Sequence, residues 1–593
     1  MRFAVTILLV AFQLEFYNCG TAQSQTRFAA SSLDSQSDSV FVDFANEADT
    51  THPIPAHFFG AGFATFGGYS DYAWTMLKQA GLVNVRFDAS FGKVWQSATS
   101  TPDFSAIDQT VSLVQSEGLQ PIMIMDYCPA WLQTSSSNSI PSSLSEWADL
   151  AAQYVHHEDV TFPGVIKNYE IWNEPNLATN DFGVSDSAGN VEYDSLFSEA
   201  AFKMYAQALA DGATIRVGGP AMAKPLADTA WVTRLLSNPD SAPYVKFISL
   251  HYYPGCNSYS DSSAILSYLF RESAGIEQWF NTFATVVRSA NGPNAATVPI
   301  YIDEYNSSSC PQSSDPVRNS PKWAPLWNSL FVIGVLHSAY DSSRTMPSKL
   351  LYFTSSYASA GYNLLTNNFL APTPYPQFYA YDLMGGAKYL DITNHGYLAH
   401  SVSTSTDTLS AAAFFTPNSE SVLLVNPTWG DLSNVTVNIK NPGFNPTADT
   451  LFLLNQSNPS IKGSVLTATA TAEGYQSVID VPPLSIVALK YSATITGVEG
   501  DPTGLPKGFE LEQNYPNPFN PTTTIDYCVP ARSLINISVY DVLGRKVRTL
   551  VDGVERPGSY SVTFNASSLP SGVYLCRMSA GTFAQTIKVM LVK

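Results

Sequence analysis

The feature that most constrains the fold is a regular alternation of short, β-rich apolar runs with amphipathic helical stretches between residues 55 and 387. Such alternation is typical of a parallel sheet whose strands are joined by crossover helices. Eight apolar runs can be counted, and eight strand-and-helix units close into a (β/α)8 barrel of the TIM type. We therefore predict an α/β fold with barrel strands near residues 58–63, 84–88, 121–125, 165–172, 214–218, 245–251, 298–304 and 350–354.

Two glutamates stand where predicted strands end. Glu174 follows the fourth strand, and Glu304 ends the seventh. The carboxyl ends of all barrel strands meet at one face, which is where TIM-barrel active sites lie. Two carboxyl groups on either side of a glycosidic bond can cleave it, one by donating a proton and the other by attacking the anomeric carbon. The pair predicts a glycosidase, with Glu174 as proton donor and Glu304 as nucleophile.

The rest of the chain reads as two further β-rich units. Residues 388–495 alternate apolar and polar side chains between Asn, Pro and Gly, which predicts an accessory β-sandwich, and residues 39–54 supply an N-terminal strand to it. Residues 496–508 have the composition of a linker. Residues 509–593 carry eight basic against six acidic side chains, unlike the acidic remainder, and predict a small, separate, Ig-like β-sandwich.

Composition and the N-terminus limit partners and location. A net charge of -19 without a basic stripe argues against nucleic acid as a partner. Residues 1–23 have the layout of a cleaved export signal, because Arg2 precedes an apolar run that small residues follow. A lipid anchor at Cys19 is the minor alternative. No other window approaches the length of a membrane-spanning helix, so no transmembrane segment is expected.

The cysteines and histidines do not predict a metal centre. Cysteine spacing matches no zinc pattern, and His156, His157 and His251 do not form a ligand set. Cys256 and Cys310 each follow a predicted strand and could form a disulfide in an exported protein. Two unpaired loop cysteines are an equally good interpretation.

Five motifs carry a resemblance to a known group of enzymes. They are Glu170 to Leu177, Arg86-Phe87-Asp88, Val217 to Pro220, His251 to Pro254 and Glu304 to Ser308. In this order and at these strand ends they resemble the clan A retaining glycoside hydrolases, most closely family 39, over residues 39–492. The resemblance implies double displacement with Glu174 as acid/base and Glu304 as nucleophile, and it implies no metal or other cofactor.

The resemblance also implies the surroundings of the two glutamates. Asn173 would hydrogen-bond the sugar 2-hydroxyl, and Arg86 would keep Glu304 ionised. The expected substrate-binding residues are Arg86, Asp88, Asp126, Trp131, Asn173, His251, Tyr253 and Tyr305. Asp88 and Asp126 serve equally well as sugar contacts or as structural hydrogen-bonding groups, and a barrel aromatic is more often packing than a sugar platform.

Two more carboxylates flank the proposed catalytic pair. Glu170 is either a rival catalyst or, as we favour, a deep barrel carboxylate paired with a buried base. In a regular strand it would share a side with Trp172 and Glu174. Asp303 has the opposite parity to Glu304, so we expect it to cap a loop or a helix.

The last domain has its own resemblance. Asn514 to Pro521, Val539 to Arg545, Pro557 to Tyr560 and Leu569 to Tyr574 are closely similar to the type IX secretion sorting domain over residues 509–593. This similarity implies a secreted or cell-surface protein of a Gram-negative cell, with the type IX secretion machinery as a partner.

The substrate is less well defined than the reaction. A β-linked plant or microbial polysaccharide or oligosaccharide is expected, with β-xylosides as the first guess. Asp88, Asp126 and the strand-eight end from Tyr352 to Ser356 depart from the clan pattern, so the sugar stays open. The alternatives are a catalytically inactive, glycan-binding surface protein and a clan A relative that resembles β-glucuronidases or endo-glucanases.

Overall fold

The structure is a computed structural model that describes most of the chain. It covers residues 38–44, 54–55, 57–63, 71–89, 91–177, 189–254, 262–307, 317, 320, 323–338, 345–353, 364–365, 373–393, 397–399, 401–404, 409–416, 419–440, 442, 448–492, 508–514, 516–529, 533–555, 558–567, 569–581 and 583–592. The predicted export signal, residues 45–53 and residues 496–507 of the predicted linker lie outside the described residues. Cys19, Cys256 and Cys310 lie outside them as well.

A closed barrel of eight parallel strands forms the larger part of the molecule. A short strand, β1 (Ser39–Asp43), precedes it in the chain. The barrel strands are β2 (Phe59–Phe63), β3 (Asn84–Asp88), β4 (Gln120–Met125), β5 (Asn168–Ile171), β6 (Arg216–Met222), β7 (Val245–Tyr252), β8 (Ile300–Tyr305) and β9 (Lys349–Tyr352). Each pairs with the next in order, and β2 pairs with β9 to complete the ring. The predicted (β/α)8 barrel is confirmed.

Helices surround the barrel. They are α1 (Asp71–Gln79), α2 (Phe91–Val94), α3 (Ser105–Glu117), α4 (Leu144–Thr161), α5 (Gly189–Asp211), α6 (Thr229–Ser237), α7 (Ser262–Ser289), α8 (Ala324–His337) and α9 (Pro376–Gly385). In the part of the chain that the structure describes, none of them has the length and apolar character needed to cross a membrane.

Local sequence signals set several helix ends. The Ser143 hydroxyl accepts a hydrogen bond of 3.2 Å from the Glu146 N–H and so caps the start of α4. Gly118 ends α3 with φ 67°, a left-handed conformation that glycine adopts without a Cβ penalty. Proline opens α8 and α9, where the missing N–H has no intrahelical partner to lose.

Two packed sheets form the accessory sandwich. Its remaining strands are β10 (Tyr397–Leu398), β11 (Ser401–Thr404), β12 (Ser410–Thr416), β13 (Ser419–Asn426), β14 (Leu432–Lys440), β15 (Ala448–Asn455), β16 (Asn458–Val465), β17 (Thr469–Ala470), β18 (Gly474–Val481) and β19 (Ser485–Ser492). The first sheet has the order β11-β1-β14-β18-β17 and the second β10-β12-β13-β19-β15-β16. Strand β1 therefore lies in the sandwich, between β11 and β14.

Helix α8 joins the barrel to the sandwich. Its residues from Ala324 to Leu336 are buried on every side, as expected for a helix that is apolar all round. It contacts β12, β13 and β19 of the sandwich, while Phe331 stacks on Tyr305 of the barrel at 4.4 Å. One face of the sandwich therefore joins the hydrophobic core of the barrel, while the space between its two sheets is filled by a core of its own.

The C-terminal unit is a small sandwich with a core of its own. Its strands are β20 (Glu510–Leu511), β21 (Thr522–Val529), β22 (Ser533–Tyr540), β23 (Lys546–Glu555), β24 (Gly558–Asn565), β25 (Gly572–Ala580) and β26 (Phe583–Leu591). They form one sheet of order β20-β21-β24 and another of order β23-β22-β25-β26. The predicted third, β-rich unit is confirmed.

Candidate active site

Most of the predicted site residues lie at the C-terminal ends of the barrel strands, the face on which TIM barrels place their active sites. A layer of apolar side chains closes the barrel beneath them. Ile122, Phe247, Tyr301 and Leu351 form this layer, with Phe247 and Tyr301 stacked at 4.5 Å. A Cβ at Gly218 would lie 2.5 Å from the Phe247 ring, so glycine is what lets the layer close.

The chain turns sharply between β5 and Glu174. Trp172 and Glu174 both have left-handed backbone conformations, with φ 68° and 49°, which cost about 1–2 kcal/mol per non-glycine residue. Backbone hydrogen bonds fix the turn, because the Trp172 N–H donates to Met125 O and the Glu174 N–H donates to Ala221 O, both at 3.1 Å. The Trp172 ring is 0 % exposed and packs on Trp147 of α4. The expectation that Trp172 shares a side with Glu174 is wrong, since the strand is not regular here.

A β-bulge shapes the end of β8. Leu250 of β7 lies opposite Ile302 and the next residue, His251, lies opposite Glu304, so Asp303 is the extra residue. Because of this bulge, both Asp303 and Glu304 turn into the barrel. Asp303 is 1 % exposed and lies 3.3 Å from Arg86 Nε. The prediction that Asp303 caps a loop or a helix is wrong.

Glu304 is held at both carboxylate oxygens. Arg86 Nη1 lies 3.2 Å from Oε2 and His251 Nε2 lies 3.3 Å from the same atom. The Tyr253 hydroxyl donates to Oε1 at 2.5 Å. A cation and a hydroxyl donor therefore fix the position of the Glu304 carboxyl group through both of its oxygens.

Glu174 faces the same imidazole from the other side. His251 Nδ1 and Glu174 Oε1 are 2.8 Å apart, which is a hydrogen-bond distance. The side chain of Glu174 is 19 % exposed, whereas His251 is 0 % exposed. One buried ring thus contacts both catalytic candidates through its two nitrogens, and it leaves Glu174 open to the barrel mouth.

Arg86 is the cation at the centre of the site. Its Nε and Nη2 lie 2.7 and 2.6 Å from Glu170 Oε2, and Nη2 also donates to Asn173 Oδ1 at 2.7 Å. Burial opposes the charge of Arg86, but Glu170, Asp303 and Glu304 outweigh it and raise the pKa of the guanidinium. The interpretation of Glu170 as a deep carboxylate paired with a buried base is confirmed.

The two deeper carboxyl groups differ in their ionisation. Burial raises the pKa of Asp303 well above its usual range, and the adjacent Glu170 reinforces the shift. Burial also opposes the ionisation of Glu170, but the contact with Arg86 outweighs it and lowers the pKa of Glu170. The two shifts have opposite signs, so Glu170 ionises more readily than Asp303.

A second pair of acids lies at the ends of β3 and β4. Burial, together with the charge of Glu304, raises the pKa of Asp88 to about 6. Burial and Asp88 raise the pKa of Asp126 well above its usual range, and Asp126 is 3 % exposed. Both shifts favour the neutral acid, which can donate as well as accept a hydrogen bond.

One contact in the site has no counterpart in the sequence predictions. Asn173 Nδ2 donates to the hydroxyl of Tyr127 at 3.2 Å, so Tyr127 and Arg86 together fix the amide from both ends. The only sequence signal was the place of Tyr127 directly after Asp126 at a strand end.

Tyr305, a predicted substrate contact, lies elsewhere, whereas Trp131 follows β4 at the face of the site and stays a prediction. Tyr305 is 0 % exposed, with its hydroxyl hydrogen-bonded to Tyr381 of α9. It follows the bulge and therefore faces the helices, so its prediction as a sugar contact is wrong. Trp131 lies in the segment after β4, where its Nε1 donates to the Trp95 carbonyl at 3.3 Å and its ring packs on the core.

Two groups of side chains among the described residues have the spacing to hold a cation. One is Asp108, His157 and Glu158, and the other is Glu510, Glu512 and Cys528. Neither group includes a residue of the site.

Comparison with known families identifies two segments. Residues 90–417 match the model of glycosyl hydrolases family 39, and residues 513–593 match that of the secretion system C-terminal sorting domain. No curated protein is significantly similar in sequence to this chain.

Several solved structures share the fold at low sequence identity. A monomeric β-xylosidase from Caulobacter crescentus CB15 has 16 % identity and a TM-score of 0.54, covering 77 % of this chain and 99 % of its own. The family 30 subfamily 8 xylanase Xyn30A from Clostridium acetobutylicum has 14 % identity and a TM-score of 0.53, covering 77 % and 100 %. A bacterial orthologue of human α-L-iduronidase has 13 % identity and a TM-score of 0.52, covering 93 % and 99 %.

Proposed function

The chain belongs to glycosyl hydrolase family 39 and is a glycosidase, and from this premise we propose that it cleaves β-glycosidic bonds with retention, using Glu174 as acid/base and Glu304 as nucleophile. The observation that carries the proposal is that His251 contacts Glu174 through one nitrogen and Glu304 through the other. The contacts of Arg86 and Tyr253 with Glu304 further distinguish the two carboxyl groups.

The proposed reaction has two displacements. In the first, Glu174 protonates the glycosidic oxygen while Glu304 attacks the anomeric carbon, so that the leaving group departs and a glycosyl ester forms. Esterification removes the negative charge of Glu304. Glu174 is then a carboxylate and takes a proton from the water that attacks the anomeric carbon, which releases the sugar and restores Glu304.

Asn173 supports the proposed transition state. Arg86 and Tyr127 fix its amide, so it can meet the sugar 2-hydroxyl without losing side-chain entropy during the reaction. Hydrogen bonds to this hydroxyl strengthen as the ring flattens toward the oxocarbenium ion.

We propose a neutral β-linked sugar as substrate, with β-xylosides first. Among the described residues, Arg86 is the buried cation of the site, and its donors already contact Glu170, Glu304 and Asn173. Lys93 of α2 is an exposed cation whose charge acts on Asp88 and opposes the rise of its pKa. A sugar carboxylate would compete with Asp88 for Lys93 and would also meet Glu174 and Glu304. The fold that this chain shares with the α-L-iduronidase orthologue therefore does not by itself favour a uronic acid.

The sorting domain gives the chain a type IX export signal, and the protein is secreted or attached to the cell surface. We propose that residues 509–593 engage the type IX secretion machinery of a Gram-negative cell and that the barrel acts outside the cell.

The test is hydrolysis of a panel of aryl β-glycosides, with the anomer of the first product followed by proton NMR. The panel includes a β-glucoside and a β-glucuronide, which differ only at C6, and the glucuronide should be the poorer substrate. Release of a β-anomer supports retention, whereas an α-anomer contradicts the assignment of Glu304 as nucleophile.

Variants separate the two roles. Glu304→Gln should abolish turnover, while Glu174→Ala should keep some activity on aryl glycosides with good leaving groups and gain activity with azide. Glu199→Gln is the matched control, because Glu199 lies on the outer helix α5 with Lys203 at 3.5 Å. Normal hydrolysis by both site variants would contradict the assignment of Glu174 and Glu304. Glycan binding without any hydrolysis by the wild type would instead favour a glycan-binding protein.

A further inference from the structure

Asp303 and Glu170 form a buried carboxyl pair beneath the barrel mouth. Asp303 is 1 % exposed and Glu170 is 0 % exposed, and both face the same guanidinium nitrogen, because Arg86 Nε lies 2.7 Å from Glu170 Oε2 and 3.3 Å from Asp303 Oδ2. Arg86 Nη1 also contacts Glu304 at 3.2 Å, so one cation serves three buried carboxyl groups. A buried carboxyl group without a cation of its own is stabilised by a proton, which removes its charge and makes it a donor.

The contacts of Arg86 decide which member is protonated. Its Nε and Nη2 lie 2.7 and 2.6 Å from Glu170 Oε2. Arg86 Nε is also 3.3 Å from Asp303 Oδ2, but no directed hydrogen bond from a described donor reaches either Asp303 oxygen. The charge is therefore stabilised on Glu170, and the proton belongs on Asp303.

The other groups around Asp303 give the same answer. Glu304 follows it on β8, and His251 Nε2 on β7 lies 3.8 Å from Oδ1. Tyr301 lies in the apolar layer below. If Asp303 were ionised, Arg86 would face three carboxylates instead of two, all of them buried, and uncompensated buried charge is strongly unfavourable.

We propose that Asp303 is a positioning residue that acts in its protonated form: its carboxylic acid donates to Glu170, which in turn holds Arg86 against Glu304 and Asn173. The proposal rests on the proposed function, because it takes Glu304 as the nucleophile. Asp303 touches neither substrate nor the reacting atoms, and it acts through Glu170 and Arg86.

The first experiment reads protonation directly and needs no substrate. The infrared difference spectrum of the full chain at pH 7, wild type minus Asp303→Asn, should contain the C=O band of a protonated carboxylic acid, and the band should shift on labelling with carboxyl-¹³C aspartate. Asp149→Asn is the matched control, since Asp149 is 58 % exposed beside Lys203 and should give only carboxylate bands. A difference spectrum without the acid band overturns the proposal.

A second variant covers the case in which Asp303→Asn does not fold. Glu170→Gln leaves one carboxyl group in the pair, so the charge beside Arg86 should move to Asp303 and the labelled acid band should disappear. If the band persists in Glu170→Gln, Asp303 stays protonated although Glu170 no longer carries a charge, and the proposal that the two carboxyl groups share one negative charge is contradicted.

The pH profile distinguishes positioning from a purely structural role. Asp303→Asn keeps a donor toward Glu170 and removes no charge, so the acid limb of kcat/KM should stay within about 0.3 pH units of wild type. An ionised Asp303 beside Glu304 would instead give a shift of about one unit or more. Asp303→Ala loses the donor, and kcat should fall by about 10- to 100-fold with a smaller change in KM. If no glycoside is hydrolysed, the proposed function fails while the infrared result still decides the state of Asp303.

Discussion

Replacing Arg86 by methionine should destabilise the barrel strongly at neutral pH. The guanidinium is 3 % exposed and contacts Glu170, which is 0 % exposed, at 2.6 Å. Methionine fills much of the same volume but leaves the carboxylates of Glu170 and Glu304 without their cation. Removing one partner of a buried ion pair costs about 3–5 kcal/mol, and we expect a loss of this size at pH 7.

The loss should depend on pH. Arg86 lowers the folded-state pKa of Glu170 although burial opposes ionisation. A carboxyl group whose pKa is lower in the folded protein stabilises the fold at pH values above its pKa in the unfolded chain, about 4.3 for Glu. This stabilisation is lost as the pH falls through the pKa of the folded protein. In the variant, burial has lost its main opponent, so the pKa of Glu170 should rise. The difference between wild type and Arg86→Met should therefore be largest near pH 7 and narrow below about pH 4.

Urea denaturation followed by tryptophan fluorescence measures this difference. Nine of the ten tryptophans lie between Trp74 and Trp327, and Trp429 is the tenth, so the C-terminal unit is silent. Arg288→Met is the matched control, because Arg288 Nη1 donates to the carbonyls of Ala295 and Val298 instead of to a carboxylate. A loss below about 1 kcal/mol, or one as independent of pH as in the control, would refute the reasoning.

Three further substitutions test separate parts of the site. Tyr253→Phe removes the 2.5 Å hydrogen bond to Glu304 and should lower kcat by about 10- to 100-fold in an aryl-glycoside assay, since a hydrogen bond to a charged group contributes about 1.5–3 kcal/mol. Gly218→Ala places a Cβ 2.5 Å from both the ring and the backbone carbonyl oxygen of Phe247 and should reduce the free energy of unfolding by about 1–3 kcal/mol, read from the urea midpoint; an unchanged midpoint would contradict the expected strain. Asp88→Asn should flatten the pH dependence of stability: the raised pKa of about 6 makes the wild type less stable as pH rises from about 4 to 6, and an unchanged slope in the variant would exclude Asp88 as its source.

The barrel and the pairing of its strand ends could be predicted because they depend on local signals. Each strand is a short apolar run between helices, and parallel strands in a (β/α)8 barrel carry their C-terminal ends to one face. This rule is enough to bring Arg86, Glu174 and Glu304 together from positions 86, 174 and 304 of the chain. No tertiary detail is needed for that step.

The errors all come from breaks in strand periodicity. The sequence alone gives no sign that Trp172 and Glu174 adopt left-handed conformations, and an assumed regular strand put Trp172 on the same side as Glu174. The bulge at Asp303 is equally hidden, because it arises from the pairing of β8 with β7 and β9. Backbone irregularities of this kind are set by tertiary contacts, and the alternation of side chains along an assumed regular strand does not reveal them.

The bulge also explains why a buried acid accompanies the proposed nucleophile. Tyr301 faces the barrel interior and Ile302 the helices, so a regular strand would turn Asp303 inward, Glu304 outward and Tyr305 inward. One extra residue reverses the orientations of the last two side chains. Glu304 therefore points inward and meets Arg86, and Tyr305 points outward and stacks on Phe331 of α8. The same step leaves Asp303 inside as well, where a second charge beside Glu304 would compete for a single guanidinium. A proton on Asp303 removes that competition, so the geometry that positions the nucleophile and the protonation of its neighbour follow from one backbone feature.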